Sequence, residues 1–259
     1  MIGKLLQDKV AIVTGAAQGM GAATARLFAE QGAHVVVADM NEQEGCAVVA
    51  EIQSAGGTAF FHKVNVSISS EVARMVEVTV GRFGRLDVAV NNAAVSPDTK
   101  PLAEMDEAEF DKVIAVDLKG VALCLKYELA QLIRQGQGGS IINIGSVSSF
   151  RPQPNTPVYV AAKHGVIGLT KVAALENGIH NIRVNAVAPG GIDTPMLRNF
   201  FASAGATQSD EAAYASALSL LGRFGEATEV AQASLWLASD LASYVTATTI
   251  NVDAGYINR

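Results

Sequence analysis

Val10-Ala-Ile-Val-Thr-Gly-Ala-Ala-Gln-Gly-Met-Gly21 joins a short, β-branched apolar run to three glycines, and helix-forming residues follow from 22 to 31. The apolar run is typical of a buried parallel strand, and Gly32 ends the helix. Glycines let the backbone approach a pyrophosphate, while a helix N-terminus offers free N–H groups and a favourable dipole. The segment therefore predicts a nucleotide cradle. Because its spacing is G-x-x-x-G-x-G, a tight turn without a ligand is the alternative.

A second apolar run, Ala33-His-Val-Val-Val-Ala38, ends in Asp39-Met40. A carboxylate at the end of the second strand can accept hydrogen bonds from a ribose 2′-hydroxyl. Positions 38–41 contain no Arg or Lys, and Gln18 rather than a basic residue lies in the glycine segment. A 2′-phosphate would therefore meet a carboxylate and no cation. The sequence favours NAD over NADP, and a solvated turn aspartate is the alternative interpretation of Asp39.

Apolar runs alternate with helical segments along the whole chain. Further strands are predicted at 58–66, 86–90, 140–144, 182–188 and 248–252, and further helices at 41–55, 69–83, 106–115, 118–135, 158–176 and 228–238. This alternation predicts an α/β fold with a doubly wound parallel sheet, helices on both faces and a ligand crevice at the strand carboxyl ends. No repeat or linker interrupts the pattern, so residues 1–259 are predicted to form a single domain.

Tyr159-Val-Ala-Ala-Lys163 lies in the predicted helix 158–176, where positions four apart share a face. A phenol is a poor base at neutral pH because its ordinary pKa is about 10. An ammonium about 5 Å away favours the phenolate by roughly 3 kcal/mol at an effective dielectric of 20, which suits a general acid or base. Ser146 follows the strand 140–144, where its hydroxyl can polarise a bound oxygen. Taken alone, a Tyr-x-x-x-Lys pair is more often part of a solvated helix face, and the rest of the chain favours the catalytic interpretation.

The composition is that of a globular protein, with 49% hydrophobic residues and a formal net charge of −6. Lys and Arg form no large cluster, which argues against nucleic acid or an anionic membrane as a partner. No uncharged apolar run approaches the ~20 residues of a membrane helix, and the N-terminus lacks the apolar core of a signal peptide. Cys46 and Cys124 are far apart, and the histidines show no metal-ligand spacing. We expect a cytoplasmic protein without a metal.

Two segments suggest contacts beyond a plain core. Helix 158–176 is apolar or small on nearly every side, so one face can cover the sheet and another is expected to contact a second subunit, which predicts a homo-oligomer. The segment 191–221 lacks a predicted strand and contains apolar residues such as Met196, Phe200 and Phe201. We interpret an insertion of this length as a mobile lid over a neutral, hydrophobic substrate.

The chain resembles the short-chain dehydrogenase/reductase family over essentially its whole length. The matching motifs are Thr14-Gly-x-x-x-Gly-x-Gly21, Asn91-Asn-Ala93, Ser146, Tyr159-x-x-x-Lys163, Asn185, Pro189-Gly190 and Val252-Asp-x-Gly-Tyr256. The resemblance implies a single-domain Rossmann fold, a nicotinamide cofactor and often a tetramer. It also implies that Tyr159 is the general base in oxidation and the acid in reduction. Lys163 would make the tyrosine more acidic and hold the nicotinamide ribose, and Ser146 would position the substrate oxygen.

The glycine segment, the strand ends and the resemblance together give a set of residues expected to contact NAD. Within it, Ile192 and Thr194 match positions that hold the carboxamide end of the nicotinamide. The full set is Gly15, Gln18, Gly19, Met20, Gly21, Asp39, Met40, Asn65, Val66, Asn92, Ala93, Tyr159, Lys163, Pro189, Gly190, Ile192 and Thr194.

Three positions depart from the family pattern. Asp117 stands where the family usually has an asparagine in a water-linked proton path to the lysine, and its charge would partly cancel the effect of Lys163 on Tyr159. We count Asp117 among the candidate catalytic residues and expect activity with an altered pH profile. Asn65 stands where an aspartate often contacts the adenine amino group, and its amide oxygen can accept the same bond. Ala254 replaces a common glycine.

The leading hypothesis is an NAD-dependent dehydrogenase that interconverts a neutral, hydrophobic or cyclic secondary alcohol and its ketone by hydride transfer. One alternative is a biosynthetic ketoreductase acting on an acyl or polyketide-like substrate. The other is a protein that binds NAD without turnover. Intact Ser146, Tyr159 and Lys163 argue against the last alternative, whereas Asp117 leaves it open.

Overall fold

A single parallel sheet of seven strands forms the centre of the fold in the computed structural model, which describes residues 3–203 and 205–258. The order across the sheet is β3-β2-β1-β4-β5-β6-β9. The strands are β1 (Val10–Thr14), β2 (His34–Asp39), β3 (Thr58–Lys63), β4 (Val88–Asn91), β5 (Gly139–Ile144), β6 (Ile182–Pro189) and β9 (Thr249–Val252). Two short strands, β7 (Ile192–Asp193) and β8 (Gly225–Glu226), pair with each other outside this sheet.

Helices connect the strands and cover both faces of the sheet. They are α1 (Gly19–Glu30), α2 (Glu42–Ser54), α3 (Ser69–Phe83), α4 (Glu107–Val113), α5 (Val121–Gln135), α6 (Pro157–Asn177), α7 (Pro195–Ser203), α8 (Gln208–Leu218) and α9 (Ala227–Ala238). The apolar strand residues alternate between the faces, as a pleated strand requires. Ala11 and Val13 of β1 join one core with Phe28 of α1, whereas Ile12 joins the opposite core with Met75 of α3.

The reversal of strand order sets the position of the ligand crevice. β1 pairs with β2 on one side and with β4 on the other, both in parallel. The connections after β1 and β4 therefore leave to opposite faces and open a crevice at the strand carboxyl ends, where doubly wound folds bind ligands. The predicted fold class is confirmed, although β3 ends at Lys63 rather than at residue 66.

The predicted break between helices 106–115 and 118–135 is wrong. A π-helical segment, Ile114–Gly120, joins α4 to α5 without interruption. The sequence contains neither proline nor glycine between 107 and 119, so nothing stops the helix. Wider turns of this kind occur often at functional sites, and this one contains Asp117. The prediction placed a break here because a helical pattern of 3.6 residues per turn does not account for the extra residue in a π-helical turn.

The segment 191–221 has more structure than expected. Its prediction as a stretch without a strand is wrong at Ile192–Asp193, which pairs with Gly225–Glu226, and two helices, α7 and α8, follow. Arg198 of α7 connects the base of the segment to α8, donating to Asp193 and to Glu211 Oε2, the latter at 2.6 Å. The segment is therefore a helical hairpin anchored by ion pairs. Its mobility stays a prediction.

Two further observations concern membranes and metals. One stretch among the described residues, Pro157–His180, is long and apolar enough to cross a membrane by length and composition, but it packs on β6 and the π-helical segment as a core helix does. Within residues 3–203 and 205–258, no three His, Cys, Asp or Glu side chains come together as metal ligands.

Candidate active site

The glycine segment forms a tight cradle between β1 and α1. Gly15 has a φ of +63°, a conformation that favours glycine, and a side chain there would meet Ala93 and Asn92 within 3 Å. Asn92 fixes the turn by donating from Nδ2 to the carbonyl oxygens of Thr14 at 2.9 Å and Gly15 at 3.1 Å. Thr14 Oγ1 in turn accepts from the backbone N–H of Asn92. The Asn-Asn-Ala motif thus supports the loop beside it.

The start of α1 is open in the way that a pyrophosphate needs. The first N–H groups of a helix have no intrahelical partner. Gln18, the N-cap residue, makes no side-chain bond to them, so they are free to bind an anion. A Cβ on Gly21 would lie 2.1 Å from the Gly15 carbonyl oxygen, so only glycine lets the loop fold this closely. The residues present fit a dinucleotide phosphate group.

Asp39 lies at the rim of the cradle, at the end of β2. Its Oδ2 accepts from the N–H of Ala17 at 3.0 Å, and its Oδ1 accepts from the N–H of Asn41 at 2.9 Å. These two bonds hold the carboxylate in one orientation and leave further lone pairs for a ribose hydroxyl. No described ion pair includes Asp39, so its charge faces the cleft without a cation.

A cavity of about 240 Å³ extends from this cradle to Tyr159 and Lys163. Gly21, Asp117, Ser146, Pro189, Gly190 and Ile192 do not line it, and Ile192 belongs instead to the apolar core. The predicted residues that do line it are Gly15, Gln18, Gly19, Met20, Asp39, Met40, Asn65, Val66, Asn92, Ala93, Tyr159, Lys163 and Thr194. Met196 of the predicted lid also lines it, and the lining residues that the sequence did not indicate are Ala38, Val64, Ala94, Val95, Val116, Ile144, Gly145 and Pro195.

A larger cavity, of about 340 Å³, lies between the base of the helical hairpin and the C-terminal loop, with Leu218, Phe224 and Asp253 in its wall. It contains neither the glycine cradle nor Tyr159. Size alone therefore does not identify the site, because the smaller cavity is the one that contains the glycine cradle, Tyr159 and Lys163.

Helix α6 presents Tyr159 and Lys163 to the cavity from one face. Pro157 begins the helix, which suits a proline because the first N–H has no partner. The helix start is capped from a distant loop, since the buried carboxylate of Asp98 accepts from the N–H groups of Val158 at 3.1 Å and Tyr159 at 3.0 Å. No local sequence pattern indicates this cap. The Tyr159 hydroxyl has no hydrogen-bond partner among the described residues.

Lys163 is buried against a carboxylate. Its Nζ lies 3.4 Å from Asp117 Oδ2, with 3% and 0% of the two side chains exposed, and donates to the Ile144 carbonyl oxygen at 3.3 Å. The same Nζ lies 5.4 Å from the centre of the Tyr159 ring. Burial alone would lower the pKa of Lys163, but the charges of Asp117 and Tyr159 outweigh it, and this pKa is raised. The ammonium therefore persists beside the tyrosine.

Asp117 is held by two partners. Its Oδ1 accepts from the Val95 N–H at 2.9 Å, while Oδ2 faces Lys163 without hydrogen-bond geometry. Burial raises the pKa of Asp117, and the Lys163 charge and the Val95 N–H oppose that rise. A buried ion pair of this kind depends on both charges, because either alone would be unpaired in the interior.

Ser146 lies two residues after the end of β5 and caps a short 3₁₀ turn, Val147–Ser149. Its Oγ accepts from the Ser148 N–H at 3.1 Å, which leaves its proton free to donate, and Gly145 beside it lines the cavity. The structure thus brings the cradle, Asp39, Tyr159 and Lys163 to one cleft, with Asp117 and Ser146 directly behind it.

Known proteins match the chain along its whole length. A family model described as Enoyl-(Acyl carrier protein) reductase matches residues 15–257. The short chain dehydrogenase/reductase astE of Aspergillus oryzae is 52% identical over 251 residues, or 96% of this chain and 95% of that protein. The chain belongs to the short-chain dehydrogenase/reductase family.

A further relative and a solved structure bear the names of a dehydrogenase and a reductase, and the relative acts on a cyclic diol by name. A 2,5-dichloro-2,5-cyclohexadiene-1,4-diol dehydrogenase of Sphingobium indicum is 40% identical over 251 residues, covering 97% of this chain and 98% of that protein. The crystal structure of levodione reductase has a TM-score of 0.92 at 36% identity, with 98% and 99% of the two chains covered. The chain is accordingly an oxidoreductase of alcohols or ketones.

Two departures from the family pattern, Asn65 and Ala254, are visible in the hydrogen bonds of the first residue and in the backbone conformation of the second. Asn65 Oδ1 accepts from both the N–H and the hydroxyl of Ser67, at 3.0 and 2.7 Å, so its two lone pairs are engaged. Accepting a bond from an adenine amino group there would require the Ser67 hydroxyl to turn away. Ala254 has a φ of +49°, which explains why glycine suits this position in the family.

Proposed function

We propose that this short-chain dehydrogenase/reductase oxidises neutral, hydrophobic or cyclic secondary alcohols to ketones with NAD, and catalyses the reverse reduction. The observation that carries the proposal is that one cleft contains a glycine cradle, a carboxylate without a cation, and a tyrosine whose ring centre lies 5.4 Å from a buried ammonium. Bound NAD would supply the hydride acceptor. An assay of NAD reduction with a panel of cyclic and acyclic secondary alcohols tests the proposal.

The side chains would divide the proton chemistry between them. Tyr159, as the phenolate, takes the proton from the alcohol oxygen, and Lys163 stabilises the phenolate charge. Ser146 donates a hydrogen bond from its hydroxyl to the same substrate oxygen and so positions it. Asp117 keeps the ammonium in place but also weakens its effect, because it adds a negative charge behind it.

An apolar substrate is supported by the start of α7, where Pro195 and Met196 line the cleft. Their side chains favour hydrocarbon over charged groups. Behind them, Phe201 packs edge-on against Tyr214 with ring centres 5.4 Å apart, so the hairpin has an aromatic core of its own. The ring compound in the name of the Sphingobium indicum relative agrees with that choice.

Replacement of Asp39 by alanine is expected to reverse part of the cofactor preference. The loss of a charged hydrogen bond to a ribose hydroxyl should reduce kcat/KM with NAD by about 10- to 100-fold. Removing the negative charge should at the same time increase kcat/KM with NADP. Steady-state kinetics with both cofactors measure the change. Glu42→Ala, which removes an exposed acid three residues away, is the matched control and should alter neither value.

The Asp117→Asn variant is expected to remain active with a shifted pH profile. Without the carboxylate, the Lys163 charge acts fully on Tyr159, so the phenolate forms more readily and alcohol oxidation begins at lower pH. Since the Asp117 charge opposes that of Lys163, we expect the midpoint of the rise in kcat to move to lower pH. Asp111→Asn on α4 is the exposed control. An unchanged rate and profile would remove Asp117 from the mechanism.

A ketoreductase for an acyl substrate is the second candidate, because the matching family model is described as an acyl carrier protein reductase. Asp39 weighs against it where such a reaction relies on NADPH, since a 2′-phosphate would face the carboxylate. Reduction of a 3-oxoacyl thioester, assayed with NADH and NADPH beside a cyclic ketone, discriminates between the two. Efficient turnover of the thioester with NADPH alone would favour the second candidate.

We also propose that the chain forms a homo-oligomer, as a tetramer by family resemblance. The outer side of α6 and the turn after it expose Val172, Leu175 and Ile179, the last two by 83% and 87%. Trp236, Leu241 and Tyr244 form a second exposed apolar patch on and after α9. Contiguous apolar surface of this kind is typical of contacts between subunits.

A further inference from the structure

Glu128 of α5 is a carboxyl group that the proposed chemistry does not use. Its side chain is entirely buried, and none of the described ion pairs includes it. Glu128 Oε2 accepts from Asn91 Nδ2 at 3.0 Å, whereas Oε1 has no partner. An isolated buried carboxylate is so unfavourable that such a group normally takes up a proton instead.

A chain of hydrogen bonds fixes the orientation of Asn91. Thr170 Oγ1 donates to the Val166 carbonyl oxygen at 2.8 Å, so its oxygen must accept from Asn143 Nδ2 at 2.9 Å. Asn143 then presents its amide oxygen to Asn91 Nδ2, also at 2.9 Å. Because the Asn91 NH₂ group donates to both Asn143 and Glu128, its oxygen lies on the remaining side.

That oxygen, Asn91 Oδ1, is also buried without a partner. The two orphan atoms therefore belong to the two groups that the Asn91–Glu128 hydrogen bond already joins. Both are acceptors when Glu128 is ionised, so neither can satisfy the other. A proton on Glu128 Oε1 would turn one of them into a donor and satisfy both atoms at once.

We propose that Glu128 is a neutral carboxylic acid in the folded protein and donates its proton to Asn91 Oδ1, closing a ring of two hydrogen bonds between the acid and the amide. The ring ties α5 to the end of β4, and the Asn143–Thr170 bond continues the tie through β5 to α6. Asn92 of the cradle follows Asn91 directly. Glu128 is thus a positioning residue beneath the cleft, and this inference does not depend on which reaction the protein catalyses.

The groups around Glu128 do not supply a compensating charge. The elements packed on α5 are α3, β4, β5, α6 and the π-helical segment. Cys124, one turn earlier, is a buried thiol whose pKa burial raises well above its usual range, so it is neutral. Asp117 and Lys163 face each other instead. Burial likewise raises the pKa of Glu128 to about 7, against the opposing hydrogen bond from Asn91.

The first test detects the proton directly in the wild-type protein. Infrared spectra at pH 6 of protein with and without ¹³C in the glutamate carboxyl groups isolate glutamate signals, so Asp117 does not interfere. Exposed glutamates are ionised at this pH. We expect one label-sensitive band of a neutral carboxylic acid, absent in Glu128→Gln. The absence of such a band in the wild type would overturn the proposal.

The second test uses the pH dependence of unfolding. A glutamate with an ordinary pKa of 4.5 when unfolded and about 7 when folded stabilises the fold fully below pH 4.5, and this contribution is lost as pH rises through 7. Between pH 5 and pH 8 the unfolding constant of the wild type should therefore increase by about 70-fold relative to that of Glu128→Gln. Urea denaturation at both pH values measures it.

The glutamine variant also distinguishes the hydrogen-bonded ring between Glu128 and Asn91 from a role of Glu128 in packing alone. Its amide can donate to Asn91 Oδ1 and accept from Asn91 Nδ2, so Glu128→Gln should match the wild type at pH 5 and exceed it at pH 8. Glu128→Ala should be destabilised at both. A ratio between wild type and Glu128→Gln that does not change with pH, or a glutamine variant as unstable as the alanine variant, would contradict the ring.

Discussion

Tyr159→Phe is expected to lower kcat for alcohol oxidation by about a thousandfold while leaving NADH affinity within about threefold of the wild type. General acid–base catalysis by a positioned side chain typically contributes 100- to 10,000-fold, and phenylalanine removes only the hydroxyl group that exchanges the proton. The hydroxyl has no partner among the described residues, so its loss leaves no buried group unsatisfied. Steady-state kinetics and fluorescence titration with NADH measure the two effects.

Tyr127→Phe provides the matched control for this experiment. Tyr127 is the hydroxyl-bearing aromatic residue of α5 that shares a hydrogen bond of 2.8 Å with Ser69, away from the cleft. Its replacement should change kcat by less than twofold. Retention of more than a tenth of the wild-type kcat by Tyr159→Phe would show that another group exchanges the proton.

Lys163→Met is expected to abolish turnover and to lower the free energy of unfolding by about 3–5 kcal/mol. The variant leaves Asp117, whose side chain is 0% exposed, without its cation, and removing one partner of a buried pair has an effect of this size. Adding Asp117→Asn should restore most of the lost stability, because the asparagine can still interact with Val95 and carries no charge. It should not restore activity, since no ammonium remains beside Tyr159.

Urea denaturation of the two single variants and the double variant measures this coupling as a double-mutant cycle. Lys119→Met removes an exposed lysine two residues after Asp117 and should leave stability within about 0.5 kcal/mol of the wild type. Equal stability of Lys163→Met and the double variant would mean that the two charges do not depend on each other.

Much of the fold follows from local patterns. β1 and α3 have the predicted bounds because β-branched runs and glycine stops are local signals that tertiary structure did not override. Gly84 at the end of α3 has a φ of +79°, the left-handed conformation that makes glycine a helix stop. The π-helical turn between α4 and α5 could not be predicted, because its extra residue shifts the side chains that follow and leaves no local signal in the spacing of apolar residues.

Some features of the candidate site could likewise be predicted from local spacing, whereas others depend on contacts between distant parts of the chain. Tyr159 and Lys163 share a helix face, so their proximity is a matter of spacing, and the structure places both at the cleft. Asp98 caps α6 from 60 residues away along the chain, and Glu128 meets Asn91 across 37 residues. Contacts of that range depend on strand order and register. A single sequence contains no signal for them.

The central claim is that the protein turns over a secondary alcohol with NAD through Tyr159. Its most direct test is the initial rate of NADH formation by the purified wild-type protein, measured at neutral and alkaline pH with cyclohexanol and related cyclic alcohols. We expect steady NADH formation from NAD, NADPH formation from NADP at least 100-fold slower, and a rate about a thousandfold lower in Tyr159→Phe. Tight binding of NADH without turnover of any alcohol or ketone in the panel would contradict it.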